Sequence, residues 1–290
     1  MSFSLVLTSY DRAADLERFF RALASQSFQG LVEVNFVNQN PQRPASCDLL
    51  GKSVQLNVLQ VGQLTPLSKA RNLGLAQLSG EIVAIPDDDC WYQPQLLEDI
   101  SAYFQNHPAV DCICTCVFDP ERNLPVGKRA PTIHCSVGYR NVFDLGISSG
   151  IFIRKQALMR AGAYFDETLG VGTPIGSGEE TDMLARLLGS GSRIEYVGSL
   201  RVYHPFPVFN PGDVSKNFLY SLGFGHLNAR ILRDGHPAVL WGVATLLIRS
   251  LCGVIVNLFR PVSRAVYWNR LIGTVSGFVS LMIHPARAAK

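Results

Sequence analysis

Ser79-Gly80-Glu81-Ile82-Val83-Ala84-Ile85-Pro86-Asp87-Asp88-Asp89 is a turn, a short apolar run and three consecutive carboxylates. An apolar run bounded by turn residues is the pattern of a strand buried on both faces. Before it, Thr65-Pro66 predicts a helix start, with Thr65 as the cap and Pro66 at the first helical position, and the helix runs to about Leu78. Further back, Phe3–Thr8, Val32–Val37 and Val54–Leu59 are strand-length apolar runs, and Leu16, Phe19, Phe20 and Leu23 recur at helical spacing between the first two. After it, Pro94 opens a helix through Phe104, and Val110–Val117 is a further strand. Strands alternating with helices over short links predict an α/β fold built on a doubly wound, mostly parallel sheet. Such sheets bind ligands beyond the carboxyl ends of their strands. Thr8, Asn38 and Asp87–Asp89 all stand at such ends and should converge on one crevice.

The second half is less regular. Gly150–Arg154 reads as a strand, Lys155–Arg160 as a short helix, and the glycine-rich stretch Gly170–Gly178 as a mobile loop. A helix is expected from Glu179 to Leu188 and a strand at Ile194–Val197, followed by Val202-Tyr203-His204-Pro205.

The 290 residues are 47% hydrophobic and only 17% charged. That composition excludes disorder, and no collagen-like period or sustained heptad is present. The net charge of +3 is unevenly spread. Between Gly235 and Lys290 lie six basic residues and no Asp or Glu, which leaves 20 basic against 23 acidic residues before them. A basic, apolar, acid-free tail points to an anionic membrane surface and, being so apolar, away from nucleic acid. Ala238–Phe259 is long enough to span a bilayer. Thr245, Arg249, Gly253 and Asn257 nevertheless form a polar stripe, which favours a helix lying in the interface over one that spans. Tyr267–Ile283 is also apolar and should dock beside it. The seven cysteines lack zinc spacing. Cys112, Cys114 and Cys116 alternate onto one strand face and read as buried thiols in a reducing compartment. MSFSLVLTSYDR lacks the basic start and cleavage site of a signal peptide, so a cytoplasmic location is expected.

Three adjacent carboxylates repel one another. A divalent cation would relieve that repulsion, and Mg²⁺ and Mn²⁺ pair one or two carboxylates with substrate phosphates. The plainer alternative is a solvated acidic turn ahead of the Pro94 helix. Likewise, Ser177-x-x-Glu180 is a capping box, and Glu179, Glu180 and Asp182 suit a helix N-terminus without any catalytic role.

Ala70-Arg71-Asn72-Leu73-Gly74, then the Ser79–Ile85 strand and the Asp triplet, resemble the A-R-N-x-G, strand, D-x-D order of the family 2 glycosyltransferases of the GT-A fold. Thr8-Ser9-Tyr10-Asp11-Arg12 is similar to the family's opening strand and loop, and Gly178-Glu179-Glu180-Thr181-Asp182 with Arg186 to its acidic catalytic motif. The resemblance covers roughly residues 3 to 205. The tail, Tyr267 through Gly277, is similar to bacterial members that build surface polysaccharides on lipid carriers.

The resemblance implies a GT-A domain over 1–213, with nucleotide-sugar binding in 1–120 and the acceptor and catalytic part in 121–213, and a helical membrane-associating region over 214–290. It implies a metal-dependent, inverting hexosyl- or deoxyhexosyltransferase at the cytoplasmic face of the cell membrane. The donor would be a nucleotide-sugar, the cofactor Mg²⁺ or Mn²⁺, and the acceptor a saccharide, lipid-linked as the basic tail favours. Thr8 and Arg12 would line the nucleotide pocket, and Arg71 would approach the base or the diphosphate. Asn38 would meet the base in place of the family's usual Asp. Asp87 would hold the ribose or a metal-bound water and Asp89 the metal, with Asp88 able to take either part, and His204 would approach the metal or diphosphate. Glu180 would be the general base, with Glu179 or Asp182 as the other candidates. The contrasting reading is a degenerate transferase serving as a non-catalytic assembly subunit at the membrane. A D-x-D phosphatase fits poorly because Trp91 stands where that pattern expects Thr or Val, and a nucleotidyltransferase because Thr8–Arg12 has no glycine.

Overall fold

The computed structural model describes residues 1–50, 54–127, 130–207 and 214–283. Its strands are β1 (Phe3–Ser9), β2 (Val32–Asn38), β3 (Val54–Gln60), β4 (Ile82–Ala84), β5 (Trp91–Tyr92), β6 (Cys112–Asp119), β7 (Leu124–Pro125), β8 (His134–Val137), β9 (Ile151–Arg154) and β10 (Ile194–Tyr203). They form one sheet in the order β3-β2-β1-β4-β9-β6-β10-β5, with β7 added to β6 and β8 to β10. The first four strands are parallel throughout, as the alternating pattern requires. In the second half β9 runs antiparallel to both β4 and β6, so the sheet is mixed. All seven residues of β1 and of β2 are buried, which explains why neither shows polar alternation.

The helices are α1 (Ala13–Ala24), α2 (Leu67–Leu75), α3 (Leu96–Asn106), α4 (Val142–Leu145), α5 (Lys155–Arg160), α6 (Glu179–Gly189), α7 (Val214–Arg233), α8 (Leu240–Val256) and α9 (Pro261–Ile283). One face of the sheet is filled by Leu5, Leu7, Phe19, Phe20, Phe36 and Phe104. The other holds Val83, Ile85, Ile153, Leu184 and the aligned thiols of Cys112, Cys114 and Cys116, which are buried and form no disulfide among the described residues.

The A-R-N-x-G and Ser-Gly motifs have packing reasons. A Cβ on Gly74 would stand 2.6 Å from Val6 Cγ1 of β1. One on Gly80 would stand 2.5 Å from the backbone of Phe3 and Ser4. Backbone cannot step aside as a flexible side chain does, so Gly80→Ala is expected to destabilise the fold by about 1–3 kcal/mol. Chemical denaturation at unchanged m-value checks this.

The expected boundary at residue 213 lies outside the described residues. α7, α8 and α9 follow it as a helical assembly in which α9 packs along α7. Pro237–Val256 has a mean hydropathy of 2.1 over its most apolar window, of which only 17% is buried. Gly253 faces the Tyr267 ring and Asn257 is half-buried, whereas Ile248, Leu251 and Ile255 are exposed. Thr245, Gly253 and Asn257 of the anticipated polar stripe are therefore half-buried, while Arg249 is exposed on an otherwise largely apolar outward surface. The α8–α9 turn carries Phe259, which is 98% exposed.

Candidate active site

β1 and β4 are neighbours, so the residues after them emerge side by side. There they open into a cavity of about 1090 Å³ whose wall includes Thr8, Arg12, Arg71, Asp87, Glu180 and His204. Three strand-end segments and the start of α6 thus meet at one crevice, as the topology demands.

Each carboxylate of the triplet has its own environment. Asp87 accepts hydrogen bonds from Arg71 at 2.8 Å and from Ser148 Oγ at 3.0 Å. Burial pushes Asp88 up to about 6, while Arg12, 3.5 Å away, pulls the other way. Asp89 is opposed by burial but held down to about 2 by His204 and by Arg12. His204 Nε2 lies 3.0 Å from Asp89 Oδ1, and that contact raises the imidazole pKa against its desolvation. Among the described residues no three His, Cys, Asp or Glu side chains converge to hold a metal unaided. Asp89 and His204 fit Mg²⁺ or Mn²⁺ as a two-donor set, because the remaining positions of these ions are commonly filled by phosphate oxygens and water.

Arg71 is 1% exposed and spans two elements, bonding Asp87 after β4 and Glu179 at the start of α6, the latter at 2.9 Å. A buried guanidinium with a carboxylate on each side fixes the distance between those elements. The α6 start is set by Gly178, which has φ +96° and serves as the N-cap without any side-chain hydrogen bond. The anticipated capping box does not form: Ser177 Oγ instead donates to the Tyr220 carbonyl of α7. The three acids of α6 then separate by partner. Glu179 pairs with Arg71, and Asp182 pairs with Arg186 at 2.9 Å and Arg230 at 3.3 Å. Glu180 has no ion pair among the described residues, and its Oε2 is buried without a hydrogen-bond partner. Burial, and then the neighbouring Glu179 charge, raise its pKa.

Residues 4–165 match the sequence profile described as glycosyl transferase family 2. The chain belongs to that family. No curated protein matches the chain in sequence. Among solved structures, Staphylococcus aureus TarS 1–349 in complex with UDP-GlcNAc is 16% identical, with a TM-score of 0.58 over 95% of this chain and 91% of that one. The mannosyltransferase PcManGT of Pyrobaculum calidifontis, in complex with GDP-Man and Mn²⁺, is 14% identical, with a TM-score of 0.61 over 96% and 87%. Against a longer TarS structure the match is 19% identical, with a TM-score of 0.57, and spans 77% of this chain but only 40% of that one. At these identities the likeness is one of fold, and the fold is that of GT-A enzymes.

Within this family member, three sequence expectations need amending. Asn38 does not reach the cavity wall, because its amide is saturated. It donates to the Gln42 carbonyl and Gln60 Oε1, both at 2.8 Å, and accepts from Asn40. Gln39 stands at the wall instead. Thr65 does not cap α2; Pro66 is the N-cap, and the Leu67 amide donates to the Val171 carbonyl of the glycine-rich loop at 3.0 Å. That loop is pinned rather than free, since Ser68 Oγ also bonds the Leu169 carbonyl at 2.6 Å. Ser148, Phe143, Lys216 and Tyr220 also reach the cavity, and local sequence gave no signal for them because they come from irregular or distant segments.

Proposed function

We propose that the chain is an inverting, metal-dependent hexosyl- or deoxyhexosyltransferase at the cytoplasmic face of the cell membrane. It moves a sugar from a nucleotide-sugar to a hydroxyl of a lipid-linked saccharide, in surface-polysaccharide synthesis. The observation that carries the reading is the Glu180 carboxylate, which has no ion pair among the described residues and a buried Oε2 without a hydrogen-bond partner, in a cavity whose other described acids each face a cation. Such a carboxylate can take the acceptor hydroxyl proton as that oxygen attacks the anomeric carbon. The new C–O bond forms as the bond to the diphosphate breaks, and the nucleoside diphosphate leaves. Arg12 stands beside Asp88 and Asp89 to meet the departing charge, Thr8 lines the nucleotide side, and Asp87, braced by Arg71 and Ser148, faces the ribose. Asp89 and His204 would hold Mg²⁺ or Mn²⁺, which would supply positive charge to offset the negative charge building on the leaving diphosphate. A cavity of about 1090 Å³ has room for a nucleotide-sugar and part of an acceptor. The test is incubation of the full chain with UDP- and GDP-sugars, Mn²⁺ and a membrane lipid extract. Release of nucleoside diphosphate supports transfer. Release of inorganic phosphate or pyrophosphate instead, or of nothing with any donor, contradicts it.

Membrane placement rests on the acid-free tail and the outward apolar surface of α8 and the α8–α9 turn. Phe259 contributes little to packing at 98% exposure, so Phe259→Asp should leave the fold intact. Burying a Phe is worth about 1.5–3 kcal/mol, so the variant is expected to bind phosphatidylglycerol vesicles at least about tenfold more weakly in sedimentation. Unchanged binding would remove the turn from the membrane contact.

A further inference from the structure

α7 forms a wall of the same cavity. Lys216, Tyr220 and Phe224 recur every fourth residue, so they share one helical face, and all three line the cavity together with Phe143. Lys216 Nζ lies 5.6 Å from the centre of the Tyr220 ring. The cavity's other cationic groups, Arg12, Arg71 and His204, are each bonded to a carboxylate. Lys216 differs: among the described residues it has no carboxylate partner, and its ammonium stands over the Tyr220 ring. An ammonium beside aromatic faces is suited to an anionic saccharide, the charge meeting the anion and the rings meeting the sugar.

The course of α7 says what kind of anion. Over the same turns, α9 packs against α7 closely, with Gly273 beside the Phe218 carbonyl and Gly277 beside the Leu222 carbonyl. A Cβ on Gly273 would lie 2.5 Å from the Phe218 oxygen, so the two helices are locked at this separation. α9 is in turn packed with α8, whose Ile248, Leu251 and Ile255 are exposed. One helix therefore presents Lys216 to the cavity and supports the apolar hairpin. The hairpin side suits the chain of an amphiphile, the cavity side its anionic head, and Glu180 lies on the wall of that cavity.

We propose that Lys216, with Tyr220 and Phe224 as flanking rings, is the subsite for the phosphate group that joins an acceptor saccharide to its lipid, and that Lys216 selects phosphate-linked over neutral glycolipid acceptors. This rests on the transferase reading above. Lysine serves here as a point charge, which suits a phosphate ester without requiring a forked geometry. Phosphate could also come from a bulk lipid headgroup or from the donor diphosphate, and the measurements separate the three sources.

The full chain, wild type, Lys216→Ala and Lys216→Arg, is titrated with octyl phosphate, with octyl glucoside as the neutral control, with phosphatidylglycerol vesicles, and with UDP and GDP plus Mn²⁺. The expected result is that wild type prefers octyl phosphate to octyl glucoside at least tenfold. Lys216→Ala loses that preference, Lys216→Arg keeps most of it, and vesicle and nucleotide binding are unchanged in both. A wild type without the preference, or an alanine variant that retains it, overturns the subsite. So does a loss of vesicle binding, which assigns Lys216 to bulk lipid, or of nucleotide binding, which assigns it to the donor. A wild type that binds neither nucleotide overturns the transferase reading itself, and the subsite with it.

Discussion

Glu180→Gln is expected to keep donor affinity within about twofold while kcat falls by about 10²–10⁴, the usual contribution of a positioned general base. The expectation follows from how α6 distributes its three acids. Glu179 is committed to Arg71, and Asp182 to Arg186 and Arg230, whereas Glu180 lines the cavity with no ion pair among the described residues. Glu179→Gln should behave differently, because it leaves the buried Arg71 half-paired and costs stability as well as rate. Asp182→Asn should loosen α6 from α7 and register in thermal unfolding rather than in donor binding. The pH profile carries the sign of the Glu180 environment. A base must be ionised to act, and burial with the Glu179 charge raises its pKa above the ordinary 4.5. The rising limb of kcat should therefore sit at higher pH than an exposed glutamate gives, and Glu180→Gln should abolish that limb. A limb unchanged in the variant would assign the base elsewhere.

Asp89→Asn is expected to weaken Mn²⁺-dependent nucleotide binding by at least about a hundredfold. Of the triplet, Asp89 touches both Arg12 and His204, and it is held down to about 2 despite burial. Removing its charge deletes the candidate metal carboxylate and leaves two cationic groups facing each other, a loss of about 3 kcal/mol or more. Asp88→Asn should cost less, because burial already holds that carboxyl at about 6. The stabilising contribution of Asp89 also has a direction in pH. Its folded pKa lies below the ordinary 3.8, so the contribution is complete above that value and is lost as pH falls toward about 2. Raised His204 gives the reverse, a contribution present at low pH and lost as pH rises through its folded pKa.

The N-terminal half was legible because each buried parallel strand announces itself as an unbroken apolar run ended by polar residues. Phe3–Thr8, Val32–Val37 and the Asp triplet all fall at the positions that the sheet gives them. The reversal of β9 was not legible, since Ile151–Arg154 is apolar whichever way the strand runs. Asn38 was misplaced for a different reason. Standing at a strand end is a backbone property, but whether the side chain faces the cavity was decided by Gln42 and Gln60, which close a local amide network around it. The capping-box pattern at Ser177–Glu180 is satisfied by sequence spacing alone. Left-handed Gly178 turns Ser177 onto α7 and frees Glu180, and spacing does not encode that turn. Lys216 and Tyr220 lie on a long helix far from every motif, and only tertiary packing brings them to the cavity.

The most direct test of the central claim is calorimetric titration of UDP and GDP into the purified full chain, with and without Mn²⁺, beside Asp89→Asn. Binding of one nucleotide that depends on Mn²⁺ and is lost in the variant is the result this account predicts. A folded protein that binds neither nucleotide under any condition would contradict it and point to a non-catalytic assembly subunit.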